Sequence, residues 1–87
     1  MDLMLATSKA GHDVKQVYVV LREDDEYCFL ANGTTKTIEK PKKKKKIHLQ
    51  LIKNIPSDVQ ELVKDLALDD VVIKRILKVY NRRNEDV

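Results

Sequence analysis

A run of lysines constrains this 87-residue chain more than any other feature. Five lysines stand side by side at Lys42–Lys46, and Lys40 and Lys53 extend the cluster to seven lysines in fourteen residues with no acid among them. Neighbouring ammonium groups repel one another and are too polar to be buried, so any fold must leave this segment in solvent. The formal net charge of +3 hides how local the charge is, because the flanking parts of the chain are both mildly acidic.

A positive segment this dense is most easily accommodated when a polyanion neutralises it, so RNA or DNA is the expected partner. Runs of like charge also occur as solubilising or disordered linkers, and that alternative stays open. Lysine contacts phosphate as a flexible point charge and reads little base sequence, so recognition should depend on charge and RNA shape. If five lysines each neutralise a phosphate, affinity should fall with salt at a log–log slope of about −3.5 to −4.5.

The composition favours one small domain. Hydrophobic residues make up 43% of the chain, which suffices for a core of limited size. No apolar run reaches the roughly 20 residues that a membrane span needs. Residues 1–6 are too few and too acidic for a secretory signal, which predicts a cytoplasmic protein. Cys28 has no second cysteine to pair with and lies in an apolar run, so we expect a buried structural thiol.

Catalytic and metal chemistry find little support in the sequence. His12 and His48 are far apart and lack neighbouring cysteines, so no standard zinc spacing exists. Gly11 and Gly33 are the only glycines, which excludes the usual Gly-rich phosphate-binding loops. The acids at 23–26 lack the glycine and the downstream glutamate of a calcium loop and are predicted to form a solvated turn. We expect no enzyme, no metal site and no cofactor.

The first fifty or so residues have the composition of short strands separated by turns. Asn32-Gly33 is predicted as a two-residue hairpin turn, Pro41 as the end of the following strand, and residues 40–46 as a lysine-rich loop. The acids at 23–26 should lie at the tip of a hairpin. Five such strands within residues 1–53 predict a small antiparallel barrel, which removes exposed sheet edges by closing on itself. The predicted strands are Leu3–Thr7, Gln16–Leu21, Tyr27–Ala31, Thr34–Glu39 and Ile47–Leu51.

The aromatic residues of these strands are expected to pack inside the barrel. Tyr18, Tyr27 and Phe29 all fall in strand runs, where core packing is more common than base stacking. His48 is predicted to be a strand residue with its ring at the surface.

Residues 54–87 are predicted to form a helical extension. Ser57 through Gln60 has the form of a capping box with Ser57 as N-cap, and apolar residues continue at helical spacing to Leu66. Asp69 or Asp70 can cap a second helix that runs to about Arg82. Its apolar face should pack on the barrel, and docking on a partner is the alternative.

The second helix also has a basic stripe on its other face. Lys74, Lys78 and Arg82 recur at four-residue intervals, with Arg75 beside them. These residues are candidates for a second RNA-binding face, and a solvated helix surface is the alternative interpretation.

Two segments of the chain resemble a known family. Ser8–Asp13 followed by Val17–Leu21 resembles the start of a KOW motif, the strand–loop–strand unit of small ribosomal and transcription-associated barrels. Leu30–Gly33 and Ile38–Leu49 are more similar to one branch, the short bacterial KOW-domain RNA-binding proteins similar to archaeal and eukaryotic large-subunit ribosomal protein fourteen. The similarity covers about residues 2–51. It implies an SH3-like barrel that binds structured RNA, with ribosomal RNA and ribosomal proteins as the expected partners.

The resemblance also suggests which residues face RNA. Three positions depart from the family pattern, since His12 replaces a common arginine, Lys15 a frequent second glycine and Met4 another glycine, and these changes predict weaker RNA binding. The candidate RNA-binding residues are Lys9, Gly11, His12, Lys15, Lys40, Lys42, Lys43, Lys44, Lys45, Lys46 and His48.

Two other functions remain open at the level of sequence. One is a protein-interaction adaptor that uses the C-terminal amphipathic helices, with the lysines serving solubility. The other is a DNA-associated or transcription-linked KOW protein. Oligomeric state cannot be inferred from the residues.

Overall fold

A computed structural model describes residues 3–9, 16–64 and 67–85 of the chain, with side chains described as far as residue 82. The five strands form one antiparallel sheet in the order β4-β3-β2-β1-β5, and a short 3-10 turn at Lys46–His48 joins the last two strands of the chain. Two helices follow the sheet. The elements are β1 (Leu5–Ser8), β2 (Val17–Glu23), β3 (Tyr27–Ala31), β4 (Lys42–Lys45), β5 (Leu49–Ile52), α1 (Ser57–Val63) and α2 (Asp70–Glu85).

The predicted class, a mainly β chain with two C-terminal helices, is confirmed. β2 and β3 form the predicted hairpin, and the acidic cluster lies at its tip. Asp24 holds the turn, because its Oδ1 accepts hydrogen bonds from the backbone N–H groups of Glu26 (2.9 Å) and Tyr27 (2.7 Å). A bulge at Leu21 shifts the register between Val20 and Arg22 and adds to the twist of the hairpin.

The predicted strand at Thr34–Glu39 is wrong, and so is the two-residue turn at Asn32-Gly33. The Asn32 side chain accepts hydrogen bonds from the N–H groups of Thr34 (3.0 Å) and Lys36 (2.9 Å) and builds a wider loop. Further on, the N–H of Ile38 donates to Asp70 Oδ1 (3.0 Å) at the start of α2. These backbone groups are therefore satisfied by side chains and not by a strand ladder.

The lysine run is itself the fourth strand, which corrects its prediction as a loop. Lys42–Lys45 pairs antiparallel with Tyr27–Leu30 at the edge of the sheet, and Pro41 precedes this strand where it was expected to end one. Ladder hydrogen bonds involve only the backbone, and lysine ends reach solvent from either face of an edge strand, so low β-propensity does not prevent pairing. Edge lysines also discourage pairing with another chain.

The sheet is an open ladder with β4 and β5 as its edges, and it curls strongly. Only Lys46–His48 connects the two edge strands, and three residues of 3-10 helix span roughly 6–8 Å. The edges of a flat five-stranded sheet would be about 19 Å apart. Lys44 Nζ on β4 also lies 2.9 Å from Ser8 Oγ on β1, three strands away. Closure into an SH3-like barrel is nevertheless not confirmed.

The curl divides the apolar residues into two clusters. The concave cluster fills the inside of the curl with buried side chains of the sheet, namely Ala6, Tyr18, Cys28, Leu30 and Leu49. The convex cluster joins the sheet to the two helices and consists of Leu5, Val19, Ala31, Ile55, Val59, Val63, Ile73, Ile76 and Leu77. The apolar face of α2 is thus packed on the chain's own sheet.

The helices begin differently from one another. Ser57 is not the N-cap that its capping-box pattern predicts, because α1 is preceded by Pro56 without a side-chain cap, and Gln60 Nε2 instead donates to the carbonyl of Ile55 (2.9 Å). Asp69 does cap α2, since its Oδ1 accepts from the N–H of Val72 (2.8 Å). Leu66 lies outside the described residues. Within the described ranges, no helix is both long and apolar enough to span a membrane.

Candidate nucleic-acid interface

Strand geometry sends the lysines of β4 to opposite faces of the sheet. Successive side chains of a strand alternate, and residues directly opposite in an antiparallel pair share a face. Lys42 and Lys44 are opposite Leu30 and Cys28, which belong to the concave cluster. Lys43 and Lys45 are opposite Phe29 and Tyr27, and these face outward. The lysine run is therefore not one positive surface but two.

The concave lysines are engaged within the molecule. Lys44 Nζ donates to the hydroxyl of Ser8, a residue that is only 3% exposed. Lys42 Nζ lies 5.5 Å from the ring centroid of Tyr18, which is buried inside the curl. Both lysines are half-buried. Their aliphatic stems line the rim of the concave cluster.

The convex lysines are exposed and surround two aromatic rings. Lys43 Nζ lies 4.4 Å from the ring centroid of Tyr27 and 5.9 Å from that of Phe29. On the other side, the guanidinium carbon of Arg22 lies 4.1 Å from the Phe29 centroid. Lys45 is exposed beside them, opposite Tyr27. We call these five residues, Arg22, Tyr27, Phe29, Lys43 and Lys45, the cation–aromatic platform.

The prediction that all three strand aromatics pack in the core holds for one of them. Tyr18 is 4% exposed and lies in the concave cluster. Tyr27 and Phe29 are half-buried and belong to neither of the clusters formed by the described residues. The alternation of β3 gives the reason, because Cys28 points into the curl and its neighbours must point away from it. That alternation is readable in the sequence once the buried face of the strand is known.

The acids of the β2–β3 turn border one end of the platform. Glu23 Oε1 lies 3.7 Å from Lys46 Nζ, a partly exposed pair that contributes little stability. Hydrogen bonds from the backbone of Tyr27 and Glu26 lower the pKa of Asp24, and nearby Lys43 and Lys46 lower it further, so this carboxylate is ionised at neutral pH.

A shallow cavity of about 230 Å³ lies at the same end, lined by two acids, two lysines and the exposed Ile47. Its two acids offset its two lysines, so the cavity itself is not a cationic pocket. The lining residues are Asp25, Glu26, Lys45, Lys46 and Ile47.

Cys28 is a structural thiol, as predicted. It is fully buried in the concave cluster. Burial raises the pKa of its thiol, and the carboxylate of Glu23, with Oε2 4.0 Å from Sγ, raises it further. A protonated, buried thiol is a poor nucleophile.

The other candidate residues are distributed around this surface. Lys9 is exposed, and its N–H donates to the carbonyl of His48 (2.9 Å), which brings the end of β1 beside the 3-10 turn. His48 is exposed as predicted but lies in that turn and not in a strand. Lys40 is exposed in the loop before β4. Gly11, His12 and Lys15 lie outside the described residues.

The basic stripe of α2 occupies a separate part of the molecule. Its side chains are exposed, as expected for the outer face of a helix packed on a sheet. Among the described contacts, none joins the stripe to β4. Lys74 instead covers Gly33, where a Cβ would come within 2.7 Å of its Cγ. The stripe consists of Lys74, Arg75, Lys78 and Arg82.

In the part of the chain that the structure describes, no group of three or more histidine, cysteine, aspartate or glutamate residues is arranged to hold a metal ion. The acids at 23–26 serve the turn and the ion pair given above.

Neither the protein-family models nor the curated proteins include a match to this chain.

Proposed function

We propose that this protein binds RNA through the convex face of its lysine strand, with Arg22, Lys43 and Lys45 contacting backbone phosphates. One observation supports this most directly. Lys43 and Lys45 are exposed on a part of the sheet that the helices leave uncovered. Neither forms an ion pair with any carboxylate of the described residues. Exposed cations that are not held in ion pairs are available to a polyanion.

The strand gives these cations a fixed spacing. Lys43 and Lys45 project from one face of a paired strand about 7 Å apart, so their backbone is already ordered before RNA arrives. Ordering a flexible lysine loop on binding would cost conformational entropy that this arrangement avoids. Lysine and arginine at this surface contact phosphate and not base edges, so binding through them is largely independent of base sequence.

Ribosomal RNA is the class of RNA that the sequence resemblance favours. The resemblance to short KOW-domain proteins rests on residues 2–51, which include the whole sheet up to Leu51. The strong curl and the short link between the edge strands support an SH3-like arrangement of this sheet. Lys9, beside His48 in the structure, would extend the RNA-binding surface past the 3-10 turn.

Two double variants with the same change of charge test the proposal. Replacing Lys43 and Lys45 by glutamine removes two convex cations, and replacing Lys42 and Lys44 by glutamine removes two concave ones. We expect the convex pair to lose more than tenfold in affinity for a structured ribosomal RNA fragment, and the concave pair to lose less than threefold. Fluorescence anisotropy titrations at several salt concentrations measure both, with circular dichroism to verify folding.

The salt dependence gives a second criterion. Three convex cations predict a log–log slope of about −2 to −3, shallower than the slope expected if five lysines of the run bound together. Equal losses in the two double variants, or affinity that does not change with salt, would overturn the proposal. Competition by duplex DNA as strong as that by RNA would favour the DNA-associated alternative.

A further inference from the structure

Two aromatic rings of the convex face are not packed in the apolar core. Tyr27 and Phe29 are half-buried, and neither belongs to the clusters that the described side chains form. The helices cover the same face of the sheet at Ala31, on the same strand, and leave these two rings uncovered. Aromatic side chains contribute most to stability when they are fully buried, so these two rings stabilise the fold less than buried rings would.

Cations occupy the positions over these rings where a flat ligand would stack. Arg22 lies over Phe29 at 4.1 Å and Lys43 over Tyr27 at 4.4 Å. A cation–aromatic contact at an exposed site favours the paired state by a factor of about two to five. Stacking of a nucleic-acid base on an aromatic ring is stronger, with a factor of about five to 150. A base can therefore displace either cation from its ring.

The displaced cations would remain useful to the same ligand. Arg22 and Lys43 are both exposed, and each carries its charge at the end of a flexible side chain. A small rotation of that side chain moves the charge from the ring to a phosphate beside the stacked base. No ion pair with a carboxylate among the described residues would have to be broken for Lys43 to make this movement.

The spacing of the rings selects single strands. Tyr27 and Phe29 are two residues apart on one strand and therefore about 7 Å apart. This is about twice the 3.4 Å rise between stacked bases, so adjacent bases can rest on both rings only when they are unstacked from one another. Bases in a duplex are paired and stacked, whereas those of loops and free ends can be splayed out.

We propose that the cation–aromatic platform binds an unpaired RNA segment, with one base stacked on Tyr27, another on Phe29, and Arg22 and Lys43 on the flanking phosphates. This inference rests on the proposed function and adds a base-stacking contribution to its phosphate contacts. It identifies the bound element as a single-stranded loop or end.

Separating the stacking contribution from the charge contribution tests this. A labelled single-stranded RNA octamer is titrated against the wild type, Phe29→Leu, Tyr27→Leu and Lys43→Gln at several salt concentrations, and log K is extrapolated to 1 M salt. The counterion-release contribution vanishes there. Each leucine variant should lower the extrapolated affinity about five- to 150-fold with the slope unchanged. Lys43→Gln should reduce the size of the slope by about 0.7.

Two controls keep the test independent of folding. Phe29→Tyr retains an aromatic ring and should restore affinity to within about threefold of the wild type. The wild type itself should retain measurable affinity for the RNA octamer at 1 M salt and none for inorganic polyphosphate, because only RNA can stack.

The outcomes distinguish this inference from the function on which it rests. If the leucine variants bind as the wild type does while Lys43→Gln still weakens binding, the stacking proposal is overturned and backbone binding stands. If RNA and polyphosphate extrapolate to the same affinity, stacking is likewise excluded. If the wild type binds neither ligand at low salt, the proposed function fails as well.

Discussion

The convex face of the sheet has two halves, one covered by the helices and one left uncovered. Around Leu5, Val19 and Ala31 it is covered by α1 and α2 and forms the larger apolar cluster. Around Tyr27 and Phe29 it is uncovered and bordered by Arg22, Lys43 and Lys45. Ala31 and Phe29 are two residues apart on the same strand and face the same way. The position of the helices therefore decides that Ala31 is buried in the core and that Phe29 lies at the surface.

Stability and the proposed RNA binding therefore involve neighbouring regions of one surface. The covered half excludes water, and its apolar contacts should dominate the free energy of folding. The uncovered half keeps its cations in solvent, where their contribution to stability is small and their availability to a polyanion is high. Substitutions in the two halves should accordingly affect different measurements.

Truncating a helix residue of the covered half should give the largest effect. Ile76 is completely buried between α2 and the sheet, and Ile76→Ala should lower the free energy of unfolding by about 2–5 kcal/mol. Phe29→Leu, in the uncovered half, should cost under about 1 kcal/mol, because it loses mainly the contact with Arg22. Urea denaturation followed by circular dichroism measures both. Similar costs for the two variants would show that the halves do not differ as described.

The next largest effect is expected where the 32–40 loop meets α2. Gly33 has φ 81°, and a Cβ there would lie 2.5 Å from the backbone oxygen of Asp70. Gly33→Ala should therefore lower the free energy of unfolding by about 2–4 kcal/mol, through left-handed backbone strain and overpacking against the helix. Urea denaturation measures the loss. Thr34→Ala, at the exposed neighbouring position, serves as the control and should cost much less.

A smaller effect, on affinity only, should come from the acids beside the platform. Asp25 is exposed near Lys45 and repels phosphate, so Asp25→Asn should raise RNA affinity about twofold at low salt. Glu61→Gln makes the same change of charge on α1, in the region of the helices, and should leave affinity unchanged. An equal increase in both variants would mean that total charge, and not the location of the platform, governs binding.

The smallest effect concerns the turn that supports the platform. Hydrogen bonds from Tyr27 and Glu26 stabilise the ionised form of Asp24 and lower its pKa in the folded state. Its contribution to stability is therefore complete above about pH 5 and is lost as the pH falls through the lowered pKa. In Asp24→Ala, the free energy of unfolding measured by urea denaturation should therefore fall slightly less steeply between pH 6 and pH 3 than in the wild type. An unchanged pH profile would argue against this role for the carboxylate.

The sequence predicted more of the fold than of the site. The β2–β3 hairpin followed from β-branched and aromatic residues on each side of an acidic turn, and α2 followed from apolar spacing with Asp69 in front of it. The strand predicted at Thr34–Glu39 is wrong, because backbone N–H groups of this segment donate to the side chains of Asn32 and Asp70 instead of to a neighbouring strand. Asp70 is more than thirty residues away along the chain, so no local pattern could reveal this competition.

The sequence does not predict the cation–aromatic platform, for a related reason. A run of identical lysines has no periodicity, so nothing in Lys42–Lys46 itself indicates a strand or separates its two faces. Pairing with β3 makes the run a strand and also separates its two faces, because the register places Lys43 opposite Phe29 and Lys44 opposite Cys28. Tyr27 and Phe29 were expected in the core because they fall in strand runs, and only their position relative to the helices left them outside it.

The sequence alone determined that the lysine run lies at the surface, that short strands precede two helices, and that Cys28 is buried. These follow from solvation and local periodicity, which act on each segment wherever it is placed. The tertiary structure decided that the lysine run is an edge strand, that its cations divide between a concave and a convex face, and that Tyr27 and Phe29 lie among them. Strand register and the extent of helix cover are set by contacts between distant segments, and so no single segment encodes them.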